Sequence, residues 1–296
     1  MNNEKIAVLF GGTSAERDVS LQSGNAVLDS LIRQNYNVVG IDAEGDVLKA
    51  KLLQQKIDRC VIMFHGLYGE GGQVQKLLDE MGIPYTGSNA NSSETGMHKL
   101  KCKAIWKDAN LLTAQAHFME NSTDTRDLKF PIAIKPEADG SSIGVHKVNN
   151  SNEVESAYLD AKKYGQVMAE EWIKGKELTV SIVNNKALPV IWINSPTGFY
   201  DYQAKYISDD TEYTFPTDIP QNILDKIKQT ALEAFNLIGC HGWGRVDFIL
   251  DNEKFYILEI NTVPGMTSHS LVPKAAKQYG WNFDQLVSNI LETSRR

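Results

Sequence analysis

Four residues in the last third of this 296-residue chain have types and a spacing suited to chemistry: Arg245, Asp247, Glu259 and Asn261. They lie in GWGRVDFILDNEKFYILEIN, where two runs alternating apolar and polar flank the polar link Asp251 to Lys254, the pattern of a β-hairpin. Alternation along a strand sends Val246, Phe248, Leu250, Tyr256, Leu258 and Ile260 to one side and the four polar residues to the other. A three-residue loop would set Asp247 opposite Glu259 and Arg245 opposite Asn261. Like charges directly opposed destabilise a sheet, so the carboxylates require a proton or a cation. Two carboxylates beside an amide oxygen suit Mg²⁺, which keeps waters and takes further ligands from substrate phosphates. A solvated outer face with Arg245 as counter-ion would look the same at this level.

Other residues could meet a phosphate. FPIAIKPEADGSSIGVHKV reads as strand, loop, strand, with Lys135 closing the first strand and GSSIG offering backbone N–H groups and the hydroxyls of Ser141 and Ser142. The lysine precedes the glycines and no helix with Lys-Ser/Thr follows, so this is a phosphate-covering flap between antiparallel strands rather than a Walker A loop, unless it is a plain hairpin. In VMAEEWIKGKELTVSIV, the segment Ala169 to Ile173 could act as a hinge against a purine edge. Glu170 would accept from an exocyclic amine and Glu177 from ribose hydroxyls, although surface carboxylates at strand ends read alike. Glu16 and His65 each follow an apolar strand, where open α/β sheets place ligands. Glu16 also suits a helix start, and His65 is followed by four glycines in seven residues, a sign of close backbone approach.

The elements that must position these groups are an alternation of strands and helices. Lys5 to Phe10, Val38 to Ile41 and Arg59 to Phe64 read as strands, with helices from about Val19 and over Val74 to Met81. The fingerprint GxGxxG is absent after the first strand, and Asp42 reads as a strand-end residue rather than a ribose ligand. From Asn89 the chain turns basic, and SSETGMHKLKCKAIWKDANL reads as one helix bearing Lys99, Lys101, Lys103 and Lys107. Strands at Ala187 to Ile193 and in the hairpin, a helix at Ile223 to Leu237, and the long link SPTGFYDYQAKYISDDTEYTFPTDIP complete the pattern. A link of that length marks an active-site loop. Length and 42% hydrophobic with 23% charged residues suit a soluble α/β protein of two or three domains. A net charge of -7 argues against a nucleic-acid surface. Three widely separated cysteines without CxxC spacing indicate neither disulfides nor zinc, and no secretion signal or bilayer-length apolar run is seen, so a cytoplasmic protein with no membrane partner is expected.

Taken in order, GGTSAERDVSLQSG, FHGLYGEGG, IPYTGS, MHKL, IKPEADGSSIGV, AEEWIKGKELTV, FYDYQAKY, GWGRVDFIL and LEINTVPGMTSHSL resemble the ATP-grasp enzymes, and closely the D-alanine:D-alanine ligases of bacterial cell-wall synthesis. The resemblance spans nearly the whole chain. It implies an ATP-grasp fold of three α/β domains, at residues 1–93, 94–178 and 179–296, with ATP between the central and C-terminal ones. Lys99 and Lys135 match phosphate-binding lysines, with Ser141 and Ser142 in the loop that closes over the phosphates. Glu170, Trp172, Ile173 and Glu177 match the adenosine pocket. Asp247, Glu259 and Asn261 match ligands of two Mg²⁺ ions, or of Mn²⁺ in their place. Glu16 matches the group receiving the first D-alanine's ammonium, and His65 a histidine near the substrates. Arg245 and the N–H of Gly265 match groups that stabilise the tetrahedral intermediate. Lys205, Ser270 and the N–H of Leu271 match the site for the second carboxylate. Glu16, Ser141 and Tyr206 match a triad that holds mobile loops shut.

Family members that make the D-alanyl-D-lactate ester carry Phe where this chain has Tyr206, so the dipeptide is the expected product, with two D-alanines and ATP as ligands and a homodimer as the expected assembly. His98, Gln203 and Val263 depart from the commoner residues without removing a proposed ligand. Another ATP-grasp carboxylate–amine ligase, or a non-catalytic nucleotide-binding module of the same fold, are the competing expectations. The second would be expected to lack one of Lys135, Arg245, Asp247, Glu259 or Asn261, and all five are present.

Overall fold

The computed structural model of the chain describes residues 4–138, 140, 143–195 and 211–294. Ser141, Ser142, Lys205 and Tyr206 lie outside the described residues. Three sheets organise the rest. The first is parallel, in the order β2-β1-β3. It is built from β1 (Lys5–Phe10), β2 (Asn37–Asp42) and β3 (Arg59–Ile62), with α1 (Arg17–Arg33) and α2 (Gly45–Gln55) as crossovers. Val8 pairs with both Gly40 and Val61, and the apolar run Ile6 to Phe10 is buried throughout, as a parallel strand covered on both faces must be. Asp42 ends β2 in a bidentate contact with Arg17 and accepts from the N–H of Gly12, which makes it a fastener of the first loop. The glycine-rich stretch after β3 folds into α3 (Gly66–Glu70) before α4 (Gln73–Met81). Gly69 permits this: a Cβ there would stand 2.0 Å from the Phe64 carbonyl oxygen, so the helix can press onto the end of the strand.

The basic segment is two helices rather than one, α5 (Ala90–Met97) and α6 (Lys99–Asp108). The break at His98 has a tertiary cause: the Glu137 carbonyl accepts from the N–H of Lys99, and the Glu137 carboxylate accepts from the N–H of Leu100. The second sheet comprises β4 (Ala116–Phe118), β5 (Ile132–Pro136), β6 (His146–Val148) and β7 (Val167–Glu171). It is antiparallel, in the order β4-β7-β5-β6, and α7 (Val154–Ala161) joins β6 to β7. Ile132, Ile134, Val167 and Ala169 enter its core with α7, and period-two alternation turns Ala133, Lys135 and Glu170 to the other face.

The third sheet contains β8 (Lys176–Val183), β9 (Lys186–Ala187), β10 (Ile191–Asn194) and β11 (Glu212–Thr214), then, after α8 (Gln221–Leu237), β12 (Trp243–Asp251) and β13 (Lys254–Asn261). The main path runs β11-β10-β8-β12-β13. The core beneath it joins Ile227, Ala231 and Phe235 of α8 to Cys102 and Trp106 of α6, and the Trp106 indole donates to the Ala234 carbonyl at 3.0 Å. Helices α9 (Leu271–Tyr279) and α10 (Phe283–Leu291) then return to the first core, burying Val272, Ala275, Leu286 and Ile290. No described helix is long and apolar enough to cross a membrane.

Candidate active site

The hairpin of β12 and β13 has the expected pairing at its functional end, Asp247 opposite Glu259 and Arg245 opposite Asn261, but reaches it differently. Asp251 pairs with Lys254 around a two-residue turn in which Asn252 takes φ +54°, and a bulge between Asp247 and Phe248 restores the register a three-residue loop would have produced. The detour reverses part of the facing. Beyond the bulge, Ile257 and Phe255 pack toward the core opposite Phe248 and Leu250, while Tyr256 and Leu258, expected inside, line a cleft with Ile249 and Glu259. One extra residue shifts a strand by half its period, so every side chain on its far side changes face.

Asp247 is buried and heavily engaged. Arg245 Nε and Nη2 reach its two oxygens at 2.8 Å each, and the Thr179 hydroxyl of β8 donates to Oδ1 at 2.6 Å. Arg245 is thus the counter-ion of Asp247 here, and that contact fixes the plane of its guanidinium. Lys99 Nζ lies 3.9 Å from Glu259 Oε2. The Asn261 Oδ1 accepts from the N–H of Val263 at 3.0 Å. Two facing carboxylates plus an amide oxygen fall short of an all-protein cage, and no cluster of three metal-ligating His, Cys, Asp or Glu occurs among the described residues. The donor set fits a hard cation that completes its shell with phosphate and water.

The cleft, about 650 Å³, opens between the second and third sheets. Lys99, Lys135, Glu170, Trp172, Ile173, Glu177 and Glu259 line it together with Gly140. Trp172 lies under the ammonium of Lys147, 4.9 Å from its ring centre. At the back of the cleft a carboxylate is shared by two ammoniums: Glu170 Oε2 lies 2.5 Å from Lys135 Nζ, and Oε1 pairs with Lys103. Burial pushes the Glu170 carboxyl up, but the two lysines outweigh it and hold the carboxyl below its usual range. Burial lowers Lys135 too, yet Glu170 and Glu259 leave it above the ordinary lysine value, whereas burial, with the neighbouring Lys135 charge, leaves Lys103 below it.

The remaining candidates gather at the edge of the first sheet. Glu16 stands at the N-cap position of α1 without a side-chain cap bond, and a Cβ placed on either Gly66 or Gly140 would lie 4.0 Å from its Oε2, so the carboxylate sits between these two glycines. His65 is buried, with Nδ1 3.4 Å from Glu70 Oε1. Burial opposes its protonation, but Glu70 and, further off, Glu16 raise it above the usual histidine value. Gly265 leaves room for Ser270, whose Oγ accepts from the N–H of Thr267 at 3.0 Å; a Cβ at 265 would stand 2.9 Å from that oxygen. Leu271, buried, starts α9 directly after.

Three residues bonded to the candidate site's side chains or to the elements that carry them escaped the sequence. Lys103 was one lysine among four on a basic helix, and turn spacing does not single it out, since Lys107 follows it at the same interval. Thr179 alternates with the core residues of β8 and gave none. Glu137, almost wholly buried, binds the ring of His98 at 2.7 Å as well as the Leu100 N–H, and so ties the strand carrying Lys135 to the helix carrying Lys99.

Two α/β sheets that clasp a lysine-lined cleft, with a carboxylate pair on one wall, define an ATP-grasp architecture. Comparison with known proteins agrees. Models of the D-ala D-ala ligase N-terminus and C-terminus match residues 5–54 and 93–292, and the chain belongs to the D-alanine–D-alanine ligase family. A D-alanine–D-alanine ligase of Francisella tularensis subsp. novicida is 46% identical over the full length of both chains. A solved D-alanine–D-alanine ligase of Bacillus anthracis, complexed with ATP, is 31% identical with a TM-score of 0.83, covering 98% of this chain and 97% of that one. The VanG D-Ala:D-Ser ligase of Enterococcus faecalis is 26% identical with a TM-score of 0.86, covering 99% of each.

Proposed function

We propose that the chain joins two D-alanines into D-alanyl-D-alanine, with ATP as the energy source, for peptidoglycan precursor synthesis in the cytoplasm, and acts as a homodimer. The observation that carries this reading is the placing of Lys99, Lys135, Glu170, Trp172, Ile173 and Glu177 around one nucleotide-sized cleft that ends on Glu259 and, across the hairpin, Asp247. We also propose three α/β units that follow the sheets, with the second boundary at the turn before Lys176 rather than at residue 178, because 178 falls inside β8.

Carboxylate and amine do not condense in water, so the carboxylate first needs a leaving group. A carboxylate oxygen of the first D-alanine attacks the γ-phosphorus, ADP departs, and an acyl phosphate forms. Lys99 and Lys135 neutralise charge on the transferring group. Mg²⁺, held by Asp247, Glu259 and Asn261, would supply further charge neutralisation when bound. Glu16 receives the first ammonium, and Ser270, the Leu271 N–H and Lys205 hold the second carboxylate. The second amine then attacks the acyl carbon and phosphate departs. Arg245, held in plane by Asp247, and the Gly265 N–H stabilise the oxyanion, each worth about 3 kcal/mol. Tyr206, with Ser141 and Glu16, is the first candidate for the base that takes the amine's proton, and His65 the second. Ser142 and the flap exclude water from the acyl phosphate.

Phosphate release from ATP, measured with D-alanine, L-alanine, D-lactate and D-serine in turn, tests the reading. Release that depends on D-alanine and yields the dipeptide is expected. ATP turnover indifferent to D-alanine would refute it.

A further inference from the structure

Behind the cleft, Lys103 belongs to no role assigned so far. It stands one helical turn after Lys99 on α6 and is buried. Its ammonium donates to the Thr113 hydroxyl at 2.8 Å, and that hydroxyl donates to the Ile257 carbonyl of β13 at 2.9 Å. It also pairs with Oε1 of Glu170, whose other oxygen lies 2.5 Å from Lys135 Nζ. Lys135 and Glu170 face the cleft, and Lys103 lies behind them.

This arrangement poses a problem for binding. A phosphate needs the Lys135 ammonium, but Lys135 neutralises a buried carboxylate, and a buried carboxylate left without a cation is strongly disfavoured. We propose that Lys103 is a positioning residue that keeps Glu170 paired and in place, so that Lys135 can turn to phosphate while the freed Glu170 oxygen accepts from the exocyclic amine of a 6-aminopurine. Lys103 is suited to stay behind, because Thr113 anchors it to the backbone of the third sheet. The cleft thereby couples two recognitions: phosphate draws Lys135 away, and that exposes the acceptor which reads the base. This rests on the nucleotide reading of the cleft.

The test measures dissociation constants of ATP and inosine triphosphate, which bears an oxo group in place of the amine, for the full-length protein with Mg²⁺ by calorimetry. The wild type is expected to prefer ATP on the order of tenfold, the worth of one hydrogen bond to a charged group. In Lys103→Met, Lys135 stays committed to Glu170. ATP binding should weaken on the order of tenfold and the preference should shrink to within about twofold of unity. Lys103→Arg should restore part of the preference, which loss of packing alone would not explain. Thr113→Val, which removes only the anchor, should shift the preference the same way by less, and serves if the methionine variant fails to fold. A full ATP preference in folded Lys103→Met, or in Thr113→Val if the former does not fold, overturns the role of Lys103. A wild type that binds neither nucleotide overturns the reading of the cleft itself.

Discussion

Replacing Asp247 by Asn separates the two roles open to that carboxylate, counter-ion and metal ligand. The side chain is buried and receives Arg245 twice at 2.8 Å and Thr179 at 2.6 Å. Depriving a buried ion pair of one partner costs about 3–5 kcal/mol. Part of that is offset: the amide oxygen still accepts from Thr179 or Arg245, and the repulsion with Glu259 directly opposite, worth up to about 1 kcal/mol, disappears. A net loss of about 2 kcal/mol follows, or roughly 5 °C in melting temperature. Both roles predict that loss, so the deciding assay is phosphate release with D-alanine as Mg²⁺ is titrated. A ligand role predicts a turnover at least about 100-fold lower and a Mg²⁺ midpoint raised roughly tenfold. If the variant melts earlier but keeps the wild-type midpoint and turnover within about twofold, Asp247 serves only Arg245, and the assignment of the hairpin as a metal wall is wrong.

Glu137→Ala removes the acceptor for His98 and for the Leu100 N–H, a cap worth about 1 kcal/mol, and loosens Lys99 relative to Lys135. The KM for ATP should rise about fivefold with kcat nearly constant, and steady-state kinetics in which only kcat falls would refute the tie. Glu170 makes stability depend on pH in a stated sense. Its folded carboxyl lies below the unfolded value, so its contribution is present above about pH 4.5 and fades as pH falls through the folded value. Urea denaturation should therefore show Glu170→Gln less stable than wild type at pH 7, with the gap narrowing on acidification, and a gap that widens below pH 4.5 would contradict the pairing with Lys103 and Lys135. Tyr206→Phe should raise D-lactate use relative to D-alanine in a product-ratio assay, and an unchanged ratio would exclude that residue from acceptor choice.

What could be read from the chain alone was whatever depends on short range. Strand alternation put Asp247 and Glu259 on one face, and motifs in register named the family. These signals survive because the period of a strand and the demands of a turn are local. Tertiary structure decided the rest. It made a two-residue turn and a bulge out of an apparent three-residue loop, and so turned Tyr256 and Leu258 into the cleft. It broke the basic helix at His98, because Glu137, distant in sequence, supplies the cap. It also gave Lys103, one of four similar lysines, a buried carboxylate to neutralise. Charge pairing in a low-dielectric interior depends on which segments meet, and no spacing along the chain encodes that meeting.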